Sequence, residues 1–417
     1  MPEKNKGMKY ICLYFQVHQP RRLRNYSVLE IGKSHHYFDD ERNQEIIQKV
    51  AQNCYLPTNQ LLKELIEKYP GKFRVSFSFS GVLLDQLEWW APEALKSFQK
   101  LCSYDEVEVL GETYYHSLAS VYSPGEFQAQ VRLQVEKIKS LFKKSPRVFR
   151  NTELIYSDHL VPWLEELGFS GVLAEGVDWM VGKDGAGKVY QARSGSRLKV
   201  LLRHYPLSDD IAFRFSASGW SEFPLTAEKY ARWLLESSLP LINIFIDYET
   251  FGEHQWSTSG IFEFLRHLPA LLIDSGEVEF LIPSQAIEKL PAEQEFSSPA
   301  WLSWADMERD LSAWLGNALQ RTAMDKLYAL EPLVKTSEDK NLLESWRLLG
   351  TSDHFYYMST KFGSDAQVHK YFNPHQSPYY AHIIFMRILN DLFEWTLSSP
   401  GNKIDSAPEF RSLVESW

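Results

Sequence analysis

Hydrophobic positions along the chain fall into short unbroken runs separated by longer stretches with helical spacing. Runs too brief for helices lie at Tyr10 to Val17, Phe73 to Phe79, Val107 to Leu110, Arg147 to Thr152, Gly171 to Leu173, Leu198 to Arg203, Leu241 to Ile246 and Val278 to Ile282, and each predicts a strand. Helical spacing covers Gln60 to Lys68, Pro124 to Lys143, Asp158 to Leu167, Ala227 to Glu236 and Gly260 to Leu272. Strand then helix, repeated, predicts a parallel sheet, because parallel neighbours need a crossover long enough to hold a helix. Several runs are apolar on consecutive residues, which a strand tolerates only when both faces are covered, as in a barrel wrapped by helices. Val189 to Arg203, with Ser194, Gly195 and Ser196 at its middle, has the pattern of a hairpin and not of a crossover unit, which leaves about seven repeats.

The pattern changes after the last strand. Pro291 to Pro299 reads as a linker, and from Asp306 to Trp395 helical spacing continues without a strand. The expected architecture is α/β: a distorted (β/α)7 barrel over residues 1–290, followed by a C-terminal helical bundle over 291–417. Aromatics in the second part, among them Trp314, Tyr328, Trp346 and Phe355, are expected to fill its core.

Composition narrows the function classes. With 417 residues, 44% of them hydrophobic and 14% aromatic, the chain can bury a large core, which excludes a mini-protein and global disorder. Lys and Arg number 44 against 54 Asp and Glu, a net charge of −10 that disfavours gripping a polyphosphate backbone, so no nucleic-acid partner is expected. Cys12, Cys54 and Cys102 are too few and too scattered for a disulfide framework or a four-thiolate zinc site, and point to buried thiols in a reducing compartment. The N-terminal apolar run is shorter than a secretory signal, and no window approaches the roughly 18 to 20 apolar residues of a membrane span. A soluble, cytoplasmic protein without a membrane partner is expected; the sequence is silent on oligomeric state.

In parallel α/β barrels, reactive groups gather at the carboxyl ends of the strands, where the loops converge. The first strand ends in His18, Gln19 and Pro20; the third runs into Gly111, Glu112 and on to His116; the fourth into Glu153; the seventh into Asp247 and Glu249. Glu153 and Asp247 both follow very apolar runs, and buried carboxylates need a reason. One reason is a pair flanking a glycosidic bond, one ionised nucleophile and one acid. The plain alternative is a strand-end carboxylate that caps the next helix or pairs with Arg150. His18 and His116 are either structural or functional. A metal is not expected, because Gln19 and Pro20 stand where a zinc-dependent carbohydrate barrel would place an aspartate, and Glu112 with His116 forms no helical two-histidine pattern. No G-x-S-x-G elbow is present, and Gly182 to Gly187 lacks phosphate-loop spacing, so no nucleotide cofactor is expected. Trp220, Trp256, Trp301 and Trp304 lie in loop-like sequence, where a ring either stacks on a sugar or packs locally.

These motifs resemble glycoside hydrolase family 57, the α-amylase, glucanotransferase and amylopullulanase group. Five regions carry the resemblance in order: His18 to Pro20; GETYYHS at Gly111 to Ser117; FRNTELIYSD at Phe149 to Asp158; FIDYETFGEHQW at Phe245 to Trp256; and SWADMERDLSAWLGNALQ at Ser303 to Gln320. LLGTSDHFYYMSTK, Leu348 to Lys361, is similar to the helical part of the α-amylase branch. The resemblance implies a metal-free retaining mechanism on α-glucans such as starch, glycogen or maltooligosaccharides. It implies Glu153 as nucleophile and Asp247 as general acid/base. It places His18, Glu112 or His116, Glu249 and Trp304 in regions that line the sugar, with Asp306 approaching from the helical domain; Trp220 and Trp256 stay stacking candidates on their loop-like sequence. Glucan transfer or branching on the same scaffold is the nearest alternative. A metal-dependent carbohydrate deacetylase and a non-catalytic glycan-binding protein are the more distant ones.

Overall fold

The computed structural model describes residues 7–182 and 184–399; the outermost parts of the two expected domains, 1–6 and 400–417, lie outside the described residues. Each predicted run forms a strand. In chain order these are β1 Lys9–Val17, β2 Val75–Phe79, β3 Val107–Leu110, β4 Val148–Arg150, β5 Gly171–Glu175, β6 Val189–Ala192, β7 Lys199–Arg203, β8 Leu241–Asp247, β9 Val278–Phe280 and β10 Ala292–Phe296. β6 and β7 pair antiparallel, as the hairpin pattern predicts, and the other ladders are parallel. β10 corrects an expectation. The segment read as a linker contains a strand that pairs with β6. It is a short edge strand carrying Glu and Gln, and such strands lack the apolar run by which a buried one is recognised.

Seven parallel strands, β1 to β5 with β7 and β8, make the barrel wall, divided between two sheets. One has the order β3-β2-β1-β8 with β9 also on β1; the other has the order β10-β6-β7-β5-β4. Two seams join them. Between β3 and β4, Gly111 N–H donates to the Val148 carbonyl (3.0 Å) and Arg150 N–H to that of Gly111 (2.8 Å). Between β7 and β8 a side chain does the work of a ladder: the Asn243 amide donates to the Leu202 carbonyl (2.8 Å), while the Asn243 carbonyl accepts from His204 N–H (2.9 Å).

Strand alternation sorts the side chains. Ile11, Leu13, Phe15, Val75, Phe77, Val107, Val109, Ile242, Ile244 and Ile246 join one large cluster with the surrounding helices, among them Leu56–Lys68, Pro92–Cys102, Ala227–Glu236 and Ile261–Asp274. The intervening Cys12, Tyr14, Leu110, Val148, Leu173, Leu201 and Phe245 form a second cluster, the barrel lumen. Both strand faces are therefore covered, which is why the runs are continuously apolar. The three cysteines are free and buried, and burial pushes their thiols up, leaving them as apolar filling.

By internal contacts the chain divides into two compact units, Met1–Gln19 with Glu45–Thr113 and Val131–Trp304, and Pro20–Gln44 with Tyr114–Gln130 and Ala305–Trp417. The second, helical unit includes the helices Ala318–Ala329, Lys340–Leu349 and Pro378–Ser398, with Trp314, Trp346 and Phe355 buried. Two buried carboxylates organise it. Asp391, on the last helix, accepts from Gly32 N–H (2.6 Å), Tyr37 Oη–H (2.6 Å) and His35 Nδ1 (2.7 Å). Glu126 accepts from Arg347 Nε (2.7 Å) and faces Lys335 Nζ at 3.0 Å. No helix among the described residues is long and apolar enough to cross a membrane.

The Glu126 site gives a stability test. Arg347→Met leaves a buried carboxylate short of its main partner and should destabilise the protein by about 3 kcal/mol, read as a lower thermal midpoint. Glu126→Gln combined with Arg347→Met should recover most of it, because the uncompensated charge is then gone. An equal loss in the single and double variants would mean that Arg347 acts through packing alone.

Candidate active site

One step above the apolar lumen, the same alternation sends polar side chains inward from nearly every strand. Tyr14 is followed by Gln16, Ser76 by Ser78, Leu110 by Glu112, Val148 by Arg150, Leu173 by Glu175, Leu201 by Arg203 and Phe245 by Asp247. Gln16, Ser78, Glu112, Arg150, Glu175 and Arg203 are buried, while Asp247 is half-exposed at the end of β8. The layer is knit by hydrogen bonds. Gln16 Nε2 donates to Glu112 (2.9 Å), the Ser78 hydroxyl to Glu112 (2.5 Å), and the Tyr14 hydroxyl to Gln16 Oε1 (2.8 Å). Arg203 donates to Glu175 (3.1 Å), to Asp209 (2.5 Å) and to the Phe245 carbonyl (2.8 Å).

Glu153 rises from this layer on the turn after β4. Its backbone has φ 56° and ψ 26°, and Leu154 follows at φ 54°, a left-handed pair without glycine. Such residues are strained by about 1–3 kcal/mol each and are held only where the surroundings fix them. Here the antiparallel bridge between Tyr156 and Leu302 brings the segment after β10 alongside, and Trp304 N–H reaches the Glu153 carbonyl at 3.3 Å. The Trp304 indole Nε1–H then donates to the Glu153 carboxylate at 2.9 Å. The indole face lies beneath two guanidinium groups, with Arg150 Cζ at 4.5 Å from the ring centroid and Arg203 Cζ at 5.7 Å. Arg203 thus links the ring that holds Glu153 to the strand that carries Asp247.

Around Asp247, the sequence pair Tyr248–Glu249 turns inward. Glu249 is buried, accepts from the Tyr55 hydroxyl (2.5 Å) and takes a further hydrogen bond from the His18 backbone N–H. Burial first, and the neighbouring Asp247 charge second, push its carboxyl up to about 8. His18 Nδ1 meets the Ser80 hydroxyl at 2.6 Å, so its ring is anchored by the residue that caps the helix Gly81–Trp90.

The remaining predicted residues part company. Glu112 is inside the lumen and not on the rim. Trp220 packs against Trp233 (6.2 Å between centroids) with Arg214 over its ring, and stays half-exposed. Trp256 is 69% exposed and borders a cavity of about 460 Å³ with Phe215, Phe223, His254, Thr258 and Ser259. His116 and Asp306 belong to the helical unit, both with left-handed backbones, φ 49° and 54°. The His116 carbonyl accepts from Ser352 N–H (2.9 Å). Asp306 pairs with Lys361 (2.8 Å) and His369 (3.0 Å); burial would raise its carboxyl, but these partners hold it below the ordinary aspartate value. Sequence reasoning did not assign a site role to Arg150, Arg203, Gln16 or Tyr55. The signal for the first three was present as a polar residue two places beyond an apolar one at a strand end.

A family model described as glycosyl hydrolase family 57 matches residues 12–299. A protein of Methanocaldococcus jannaschii described as "Putative alpha-amylase" is 40% identical over 398 residues, covering 92% of this chain and 84% of that protein. Among solved structures, the 4-alpha-glucanotransferase of Thermococcus litoralis is similar with a TM-score of 0.58 at 17% identity; the match covers 91% of this chain but spans only 55% of that one. A GH57 branching enzyme of Thermococcus kodakaraensis is similar with a TM-score of 0.67 at 15% identity, covering 98% of this chain and 93% of that one. At these identities the two structures show the fold.

The Glu249 environment makes stability depend on pH. The carboxyl titrates near 4.5 when exposed and near 8 when folded, so its stabilising contribution is complete below the lower value and is lost as pH rises through the upper one. Glu249→Gln should flatten the fall in thermal midpoint between these limits and leave the variant more stable than the parent above pH 8. Parallel curves for the two proteins would show that Glu249 is ionised in the fold.

Proposed function

The chain belongs to glycosyl hydrolase family 57, and on that basis we propose that it is a retaining, α-amylase-type hydrolase acting on starch, glycogen or maltooligosaccharides in the cytoplasm. Glu153 is the nucleophile and Asp247 the general acid/base. The observation that supports this most is the contrast within one barrel end. Two half-exposed carboxylates, from β4 and β8, stand over a layer whose other charged members Glu112, Glu175, Arg150 and Arg203 are buried.

In the first step ionised Glu153 attacks the anomeric carbon while Asp247 gives its proton to the departing glycosidic oxygen, leaving a covalent glycosyl-enzyme. Asp247 then takes a proton from water, which attacks the same carbon and releases Glu153. Retention requires the carboxyl groups to stand about 5 to 5.5 Å apart. His18, Glu249 and Trp304 are assigned to the sugar bound at this point, and Glu112 supports them from below. No metal or cofactor enters the scheme. Exposed Trp256, beside Phe215 and Phe223, favours one second reading: a sugar ring stacked there would offer a hydroxyl in place of water, giving 4-α-glucan transfer or branching.

Glu153→Gln should lower turnover of maltooligosaccharides by at least about 10⁴-fold with folding intact. Asp247→Asn should slow substrates with poor leaving groups far more than activated aryl glycosides. A fluorinated glycosyl fluoride should label Glu153. Labelling elsewhere, or an unchanged rate in either variant, refutes the assignment. Products shorter than the substrate mean hydrolysis, and longer ones appearing alongside mean transfer.

A further inference from the structure

Arg150 is the last residue of β4 and points into the lumen above Val148, with no accessible surface. None of its three guanidinium nitrogens has a hydrogen-bond partner. A buried cation in that state carries a large desolvation cost unless something else in its surroundings offsets it. Arg203, the other buried guanidinium of the layer, is satisfied by Glu175, Asp209 and the Phe245 carbonyl. Arg150 differs: its close contact is the face of the Trp304 indole, 4.5 Å from Cζ to the ring centroid. That same indole donates its Nε1–H to Glu153.

A cation over an indole draws electron density from the ring, and the edge N–H becomes a stronger donor. We propose that Arg150 is a positioning residue of the reaction: through Trp304 it strengthens the hydrogen bond to Glu153 and so keeps that carboxylate ionised and aimed for attack. The charge is placed one side chain away because a direct Arg150–Glu153 ion pair would neutralise the nucleophile, whereas a donor N–H fixes one carboxylate oxygen and leaves the other to react. The charged and titratable groups at this end of the barrel include Tyr14 on β1 and His18 after it, Tyr55, Glu112 after β3, Glu175 on β5, Arg203 and Asp209 at β7, and Asp247, Tyr248 and Glu249 at β8. With Arg203 matched to Glu175 and Asp209, Arg150 is left to balance Glu112 and the carboxylates that the reaction uses.

The inference rests on Glu153 being the nucleophile, and the test separates the two. The pH dependence of kcat/KM on an activated aryl maltooligoside is measured for the parent, Arg150→Met, Arg150→Lys and Trp304→Phe, with labelling of Glu153 by the fluorinated glycosyl fluoride followed in each. Arg150→Met and Trp304→Phe should each move the acidic limb up by about 1 pH unit. The double variant should move it no further than the larger single effect, and Arg150→Lys should restore part of the shift. Trp304→Phe should leave the alkaline limb, set by Asp247, in place. An acidic limb that stays put in Arg150→Met, with the parent still labelled on Glu153, overturns the role of Arg150 while the nucleophile assignment stands. Failure to label the parent overturns the nucleophile assignment itself. Should Arg150→Met not fold, Arg150→Lys decides: an acidic limb at the parent position in Arg150→Lys, with a shifted limb in Trp304→Phe, overturns the role of Arg150, and a smaller shift in the same direction supports it.

Discussion

Strands that are apolar on both faces leave a barrel interior in which a charge persists only where its surroundings offset the loss of water. That constraint governs the carboxyl end of this barrel. Two arginines and at least three carboxylates enter one layer from different strands, and each arginine is held in a different way. Arg203 is a conventional buried ion pair with two acids. Arg150 faces a π-surface instead, so its field is not quenched by a contact partner and reaches the groups above it. The half-exposed carboxylates of the rim sit on top of this electrostatic floor, and their protonation behaviour is inseparable from it.

The rim itself is made by backbone conformations that cost free energy. Glu153 and Leu154 both have positive φ, and the first carries the side chain that the sequence motifs had singled out. Non-glycine residues enter this region rarely and at functional turns more often than elsewhere. At Glu153 the strain is offset locally: the Tyr156–Leu302 bridge and the Trp304 contacts fix the turn from a distant part of the chain.

Much of this was legible in the sequence, for identifiable reasons. Runs such as Leu241 to Ile246 are too apolar and too short to be anything but strands buried on both faces, and the residues following them mark the rim. Glu153 and Asp247 could be picked out because acids rarely follow such runs. β10 was missed because a charged edge strand carries no hydrophobic signature. The packing of Trp220 was not legible, because a tryptophan in loop-like sequence gives no hint that Trp233 is waiting beside it. Arg150 was considered only as an ion-pair partner for a strand-end carboxylate such as Glu153. The sequence cannot show that a tryptophan 151 residues away in the chain stands between them.

The two seams of the barrel have a mechanical meaning. Asp247 is carried by the sheet that ends at β8 and Glu153 follows the sheet that ends at β4. Among the described residues no continuous ladder joins those sheets; a few hydrogen bonds do so instead, one donated and one accepted by Asn243. Each carboxylate is therefore carried by its own sheet, and the spacing between acid and nucleophile is set across the seams, by Arg203 and a handful of hydrogen bonds, and not along a shared ladder.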